Sequence, residues 1–421
     1  MLKVEDINLT DTEFWRRPLD YRHEAFKTLR WEPRLVRFDE PDVVIVPQGP
    51  GYYALTRHAD VVEASRRPQD FCSGKGATQI SDLPAEMNEY FGSMISMDDP
   101  RHAKIRRIVS RAFSPRMIRR FEDDVERVAE GIVERVASGA GSGDFVRDVA
   151  ARLPLKIICD LMGIGEEHYT TVLDATNVIL AGNDPEYLPE DPEAAALALL
   201  NAGRTLKELV EDLGRRRRAE PTGDLTSALV NAEVGADDDR HGGEALTDQE
   251  LGSFFILLVV AGNETTRNAI AHALDLFTRH PEQRALLTED FEGRVAGAVE
   301  EIVRYVSPVI WMRRTATRDT TLNGHEVKEG DKLLLYYWSA NRDETVFTDP
   351  ERFDITRAPN PHVGFGGPGP HFCLGAHLAR REITVMYRTL LRRLPGIRAA
   401  GEPDRLESSF INGIKRLPYT F

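Results

Sequence analysis

The sequence predicts a mainly α-helical protein with a minor β component, folded as one unit over residues 1–421. Three observations predict it. Apolar residues recur at helical spacing along most of the chain. Short alternating runs that read as strands occur only near the start and in the last third. No Ser/Gly/Pro-rich linker, low-complexity tract or internal repeat divides the 421 residues, although the length exceeds an ordinary domain of ~100–200 residues.

Taken in order, segments near 20–31, 58–68, 99–112, 116–138 and 146–163 carry helical patterns, and Tyr52 to Leu55 reads as a strand. Two further helical patterns lie near 167–181 and 191–218, and the polar, breaker-rich stretch from Asn231 to Gly243 reads as a loop. The clearest helix begins at Thr247, which forms a capping box with Glu250, and runs to about His280, where Pro281 stops it. Another covers about 293–306 and ends before Pro308. Thr321 to Leu322 and Lys332 to Tyr337 read as strands. An irregular stretch from Asn341 to Pro370 then leads into a last helical pattern at Ala376.

Composition narrows the function classes. Asp plus Glu number 68 against 54 Lys plus Arg, and the net charge of −14 argues against nucleic-acid or anionic-membrane binding. One segment departs from that average. Arg101, Lys104, Arg106, Arg107, Arg111, Arg116, Arg119 and Arg120 share twenty residues with no acidic one, which suggests a docking surface for an acidic partner. The cysteines, Cys72, Cys159 and Cys373, show no metal-ligand spacing and fit a reducing cytosol. The N-terminus has no signal-peptide pattern, and the most apolar run, Phe254 to Ala261, is too short to span a bilayer. The expectation is a cytoplasmic protein without a membrane anchor.

Cys373 is the candidate centre. It lies in the Gly/Pro-rich loop Phe365–Gly375, immediately before the helical pattern from Ala376. A cysteine at a helix start has backbone N–H groups and the positive dipole end aimed at its sulfur, which favours thiolate. Glycines at 366, 367 and 369 allow a tight loop below it. A haem iron with a thiolate ligand needs this arrangement. The loop resembles that of the cytochromes P-450, with Phe365, Gly369, His371, Cys373 and Gly375 matching. Phe365 lies eight residues before the cysteine, where the commonest bacterial form has seven. Pro368, lacking an N–H, leaves the loop's hydrogen bonds open.

The resemblance extends from end to end and implies the cytochrome P-450 fold, with a long central helix over haem b (iron protoporphyrin IX) held by the cysteine loop. It implies that Glu264 and Thr265, in Ala261-Gly262-Asn263-Glu264-Thr265-Thr266, are the acid–alcohol pair that relays protons. Gly262 suggests that something large packs against the helix backbone there. His102, Arg106, Arg314 and His371 match cations for the haem propionates. Glu301 and Arg304, at i,i+3 spacing, would lock with Arg352 of Pro350-Glu351-Arg352-Phe353 and brace the loop. Glu63-x-x-Arg66 fits the same spacing. Met94, Ile95, Leu258, Val309, Trp311, Phe410 and Ile411, with neighbours at 178–180 and Leu257, match pocket-lining segments.

The implied reaction inserts one oxygen atom of O₂ into a C–H bond, with electrons from a ferredoxin and an NAD(P)H ferredoxin reductase. Segments such as Val259–Asn268, Met312–Thr315, Ser339–Glu344, Pro361–Gly367 and Phe410–Lys415 resemble the actinobacterial branch that hydroxylates methyl-branched lipids and sterol side chains. The extra residue in the cysteine loop is shared with that branch. The expected substrate is an apolar, methyl-branched lipid or isoprenoid chain oxidised at or near its terminus. A tailoring hydroxylase of terpenoids, polyketides or sterol side chains, a peroxide-driven enzyme and a non-catalytic haem protein remain as alternatives.

Overall fold

A computed structural model describes residues 2–42, 46–112, 115–182, 184–231 and 246–421, without the side chains of 85, 86, 89, 92 and 111–121. The expected loop beyond Asn231 lies outside the described residues, as do the side chains of Arg111, Arg116, Arg119 and Arg120.

The helix Asp248–Arg279 organises the molecule. Its start is fixed by the expected capping box: Thr247 Oγ1 accepts from the Glu250 N–H at 3.2 Å, and the Glu250 carboxylate accepts from the Thr247 N–H at 3.0 Å. Its sequence is apolar on several faces, so it is stable only when surrounded. The first half lies in an apolar cluster with the helices Arg152–Met162, Tyr169–Leu180 and Pro192–Ala219. The second half lies in a cluster with Pro115–Ala137, Phe291–Val306 and Ala376–Arg393. The long helix is therefore the common wall of two cores.

One expected helix is interrupted. Within 146–163, a π-helical turn at Val146–Ala150 precedes Arg152–Met162, and the Ala151 N–H reaches the Val146 carbonyl at 2.9 Å. Pro154 has no N–H for the regular ladder, and the widened turn accommodates that loss.

The strands form a five-stranded sheet in the order Val36–Phe38, Tyr52–Leu55, Lys332–Tyr336, Trp311–Ala316, Phe71–Cys72. Only the pairing of Tyr52–Leu55 with Lys332–Tyr336 is parallel. All five residues of the central strand Lys332–Tyr336 are buried, as expected of a strand covered on both faces. Its neighbour carries Arg314 opposite Leu333, which sets that guanidinium on the side of the cysteine loop. No helix among the described residues is long and apolar enough to cross a membrane.

Candidate active site

The cysteine loop is built from backbone contacts. Gly366 donates to Val363 at 2.9 Å, Phe372 to Gly369 at 3.1 Å and Cys373 to the Phe365 carbonyl at 2.9 Å, so Pro368 does not prevent the turn from closing. Gly366 has φ +90°, a left-handed value that favours glycine. At Gly369 an added Cβ would fall 2.2 Å from the Ser65 carbonyl oxygen, because the loop lies against the helix His58–Arg66.

Cys373 is solvent-accessible, yet burial among protein atoms is the strongest influence on its thiol and raises its pKa. The sulfur therefore faces a recess inside the molecule. The amides of Gly375 and Ala376, with Arg106 and Arg380, act in the opposite direction. The expected helix-start effect is thus present but outweighed in the free thiol, and coordination to a metal would itself remove the proton. Cys72 and Cys159 are buried, with burial pushing the Cys159 thiol up to about 12.

The four expected propionate-binding groups converge here. The rings of His102 and His371 lie 4.3 Å apart. Burial, then Arg314, His102 and Arg106, push the His371 imidazole down to about 2. His102 is 2% exposed and its Nε2 has no protein partner. Arg106 donates to the Phe372 carbonyl at 2.8 Å. Two arginines gathered beside neutral imidazoles, with an orphaned buried ring nitrogen on His102, are costly unless an anion meets them, and two propionates would satisfy that requirement. Gly375 gives a second indication. A Cβ added there would meet no protein atom within 4 Å, so space beside the sulfur is kept open on the loop. The residues fit a thiolate-bound haem.

The long helix presents Leu258, Ala261 and Thr265 at i, i+3 and i+7. Ala261 is exposed and the other two half-buried in a helix otherwise largely enclosed, so this face opens on an internal space. Leu374, beside the cysteine, packs on the cluster that also receives Leu257 and Leu258, which brings the loop up to the helix. Thr265 Oγ1 donates to the Ala261 carbonyl at 2.6 Å, the upstream bond its position suggests. Gly262 meets the expectation of close packing on the backbone. A Cβ there would collide with Ile158 Cδ1, because the neighbouring helix Arg152–Met162 approaches the long helix at this point.

Glu264 is 1% exposed. Its Oε1 accepts from Arg267 and, at 3.0 Å, from Asn268, while Oε2 has no protein partner. Both amide atoms of Asn263 are likewise buried and unpartnered. Such groups call for water.

The brace differs from expectation in one member. Arg304 and Glu301 are both 0% exposed and bond bidentately at 2.8 Å. The third guanidinium is that of Arg357, 3.2 Å from Glu301 Oε2, not Arg352. Arg352 is exposed and gives only its carbonyl, which accepts from Arg357 at 2.9 Å and from Arg304 at 3.2 Å. The turn that begins at Asp349, with φ +47°, directs the backbone of this segment inward and the Arg352 side chain outward. Glu63 pairs with Arg67 rather than Arg66, at 2.6 Å. Sequence reasoning also missed Glu300, which holds Arg380 at 2.5 Å and His362 at 3.0 Å. Burial pushes its pKa up, but these partners prevail and bring it down to about 2. Arg380 in turn stacks over Phe365 at 4.3 Å.

Glu382, also missed, is 2% exposed on the helix after the cysteine. Burial raises its pKa to about 8, against a bond from Thr266. The raised value means that the folded state holds a proton which the unfolded chain releases above 4.5. Stability is therefore lost as pH rises from there to about 8, by up to roughly 5 kcal/mol. Glu382→Gln should flatten this slope, raising Tm at pH 8 but not at pH 4. Parallel melting curves of the two proteins would refute an ionising Glu382.

Of the expected pocket residues, Trp311 and Phe410 line a cleft of about 1210 Å³, their rings 5.0 Å apart. Val309 and Ile411 form a β-bridge beside them. Met94 lies elsewhere, in a hollow of about 10 Å³ with Met97 and Ile105, and Ile95 is half-buried in the same short turn.

The cytochrome P450 family matches residues 53–415. A methyl-branched lipid omega-hydroxylase of Mycobacterium tuberculosis is 47% identical over 99% of this chain and 95% of its own length. A steroid C26-monooxygenase of Rhodococcus jostii is 38% identical over 98% and 84%. A Mycobacterium marinum cytochrome P450 in complex with pseudoionone superposes with a TM-score of 0.92 at 40% identity, covering 100% of both chains. The chain belongs to the cytochrome P450 family, whose members hold haem b through a cysteine thiolate, and it is a monooxygenase that uses redox partners and an apolar substrate.

Proposed function

We propose that this chain, acting as one unit over residues 1–421, hydroxylates a methyl-branched lipid or isoprenoid chain at or near its terminus, with electrons from a ferredoxin system. The observation that carries the catalytic assignment is the convergence of Arg106, Arg314, His102 and His371 around an accessible Cys373. Haem, when bound, supplies the activation of O₂. Cys373 would hold its iron through the sulfur, and the Gly375 and Ala376 amides would temper the sulfur's charge. Glu301, Arg304 and Arg357 hold the preceding segment rigid.

Thr265 holds a proton at Oγ1, and Glu264, with its free Oε2, exchanges protons with buried water. Thr265→Ala should retain haem and substrate binding while diverting most electrons into hydrogen peroxide. Unchanged coupling of NADPH to product would remove Thr265 from this role.

The names of the relatives and the apolar cleft floor at Trp311 and Phe410 support the substrate class. Burying such a chain yields ~0.8 kcal/mol per CH₂, and a branch methyl gives the pocket a shape to hold against the weaker C–H bonds nearby. For the ferredoxin, the support is that Arg106 ties the basic helix Arg101–Ala112 to the cysteine loop, so its positive surface borders that side of the site. The deciding experiment is reconstituted turnover of a branched fatty alcohol beside its linear isomer, with products located by mass spectrometry. Faster terminal oxidation of the branched chain is expected. Conversion of a macrolide or polycycle with no binding of either chain would overturn the reading.

A further inference from the structure

We propose that the lipid enters with an uncharged polar end, an alcohol, ketone or ester, and that the acidic rim of the cleft selects against a free carboxylate. The inference rests on the lipid reading above and names the head group of that substrate.

The cleft has two zones. Its floor is apolar, with Ile7, Leu9, Leu180 and Trp311 each no more than 9% exposed. The exposed charges on its lining are Glu5, Asp11, Asp39 and Asp42 against one cation, Arg37. A fifth carboxylate, Glu40, is 2% exposed and its charge is matched by Lys332 at 2.6 Å from Oε1, while its Oε2 has no protein partner. Glu5 meets Lys3 at 3.2 Å, but both side chains are about three-quarters exposed, and such a pair contributes little. The other polar lining groups are neutral, among them Thr78, Gln79, Ser81 and Ser409. Hydroxyl and amide groups can hydrogen-bond an alcohol, ketone or ester.

A carboxylate passing this rim meets several like charges and one opposite one. A neutral head meets none of that repulsion and finds donors and acceptors along the lining. An ammonium head would be drawn to the rim, but the one buried carboxylate among the described lining residues, Glu40, is already paired with Lys332. The rim charges stand in water, so the effect is modest: about threefold to tenfold in affinity at low salt, shrinking as the ~8 Å screening length of physiological ionic strength is reached.

The test uses the haem-loaded enzyme and one branched chain in three forms: the free acid, the primary alcohol and the methyl ester. Spectral titration at 20 mM and 300 mM salt gives Kd for each. The alcohol and ester should bind about threefold to tenfold more tightly than the acid at low salt, with a smaller gap at high salt. The double variant Asp39→Asn, Asp42→Asn should close most of that gap by tightening the acid alone. Acid binding equal to or tighter than alcohol would overturn the inference while leaving the lipid reading intact. If Arg37→Gln also weakened the acid, Arg37 would be a carboxylate anchor. Failure of all three branched forms to bind would overturn both.

Discussion

Cys373→His should lose the red-shifted Soret band that a thiolate ligand gives the reduced carbonyl complex, and monooxygenase turnover with it. The loss follows from chemistry that no other residue can replace. Cys72 and Cys159 are buried, Cys159 within an apolar cluster, and burial leaves the Cys159 thiol near 12. Only Cys373 combines access with two backbone donors and the charges of Arg106 and Arg380. The variant should keep its fold, since the loop is closed by main-chain bonds that do not involve the sulfur. Far-ultraviolet circular dichroism separates the two effects. Persistence of the red-shifted band in Cys373→His would show that the ligand is another residue.

Glu301→Ala should be the most destabilising single change in the brace, by about 3–5 kcal/mol, because removing one member of a buried ion pair leaves the other charge uncompensated. Glu301 takes both nitrogens of Arg304, the Arg357 guanidinium, the Asp354 N–H and the Asn360 amide. The same geometry separates two arginines. Arg357→Ala should cost ~2 kcal/mol or more, since its buried carboxylate partner loses a bond, whereas exposed Arg352→Ala should stay within ~0.5 kcal/mol. Denaturant titration measures both. A reversed order would restore Arg352 to the brace.

Relations confined to a few consecutive residues were legible before any coordinates. The capping box of Thr247 and Glu250, the stop at Pro281 and the Glu301–Arg304 pair each depend on spacing within a turn or two, and they stand as read. The cysteine loop was legible for the same reason, since its glycines, its cysteine and the helix behind it are contiguous. Even the convergence of His102, Arg106, Arg314 and His371 was readable, though only through resemblance to a family, since no local rule links residues so far apart in sequence.

What the sequence by itself determined, then, is the helical architecture, the thiolate loop and the class of chemistry. Tertiary structure alone decided which side chains meet. Arg357 rather than Arg352 reaches Glu301 because a turn at Asp349 sets the direction of a whole segment. Ile158 is the side chain that packs on Gly262, because helix packing brings a distant residue against it. The parallel pairing of Tyr52–Leu55 with Lys332–Tyr336 joins strands nearly 280 residues apart, and burial within the fold is what raises the Glu382 pKa. Each of these depends on chain direction and burial summed over the fold, and neither quantity is written in any short window of residues.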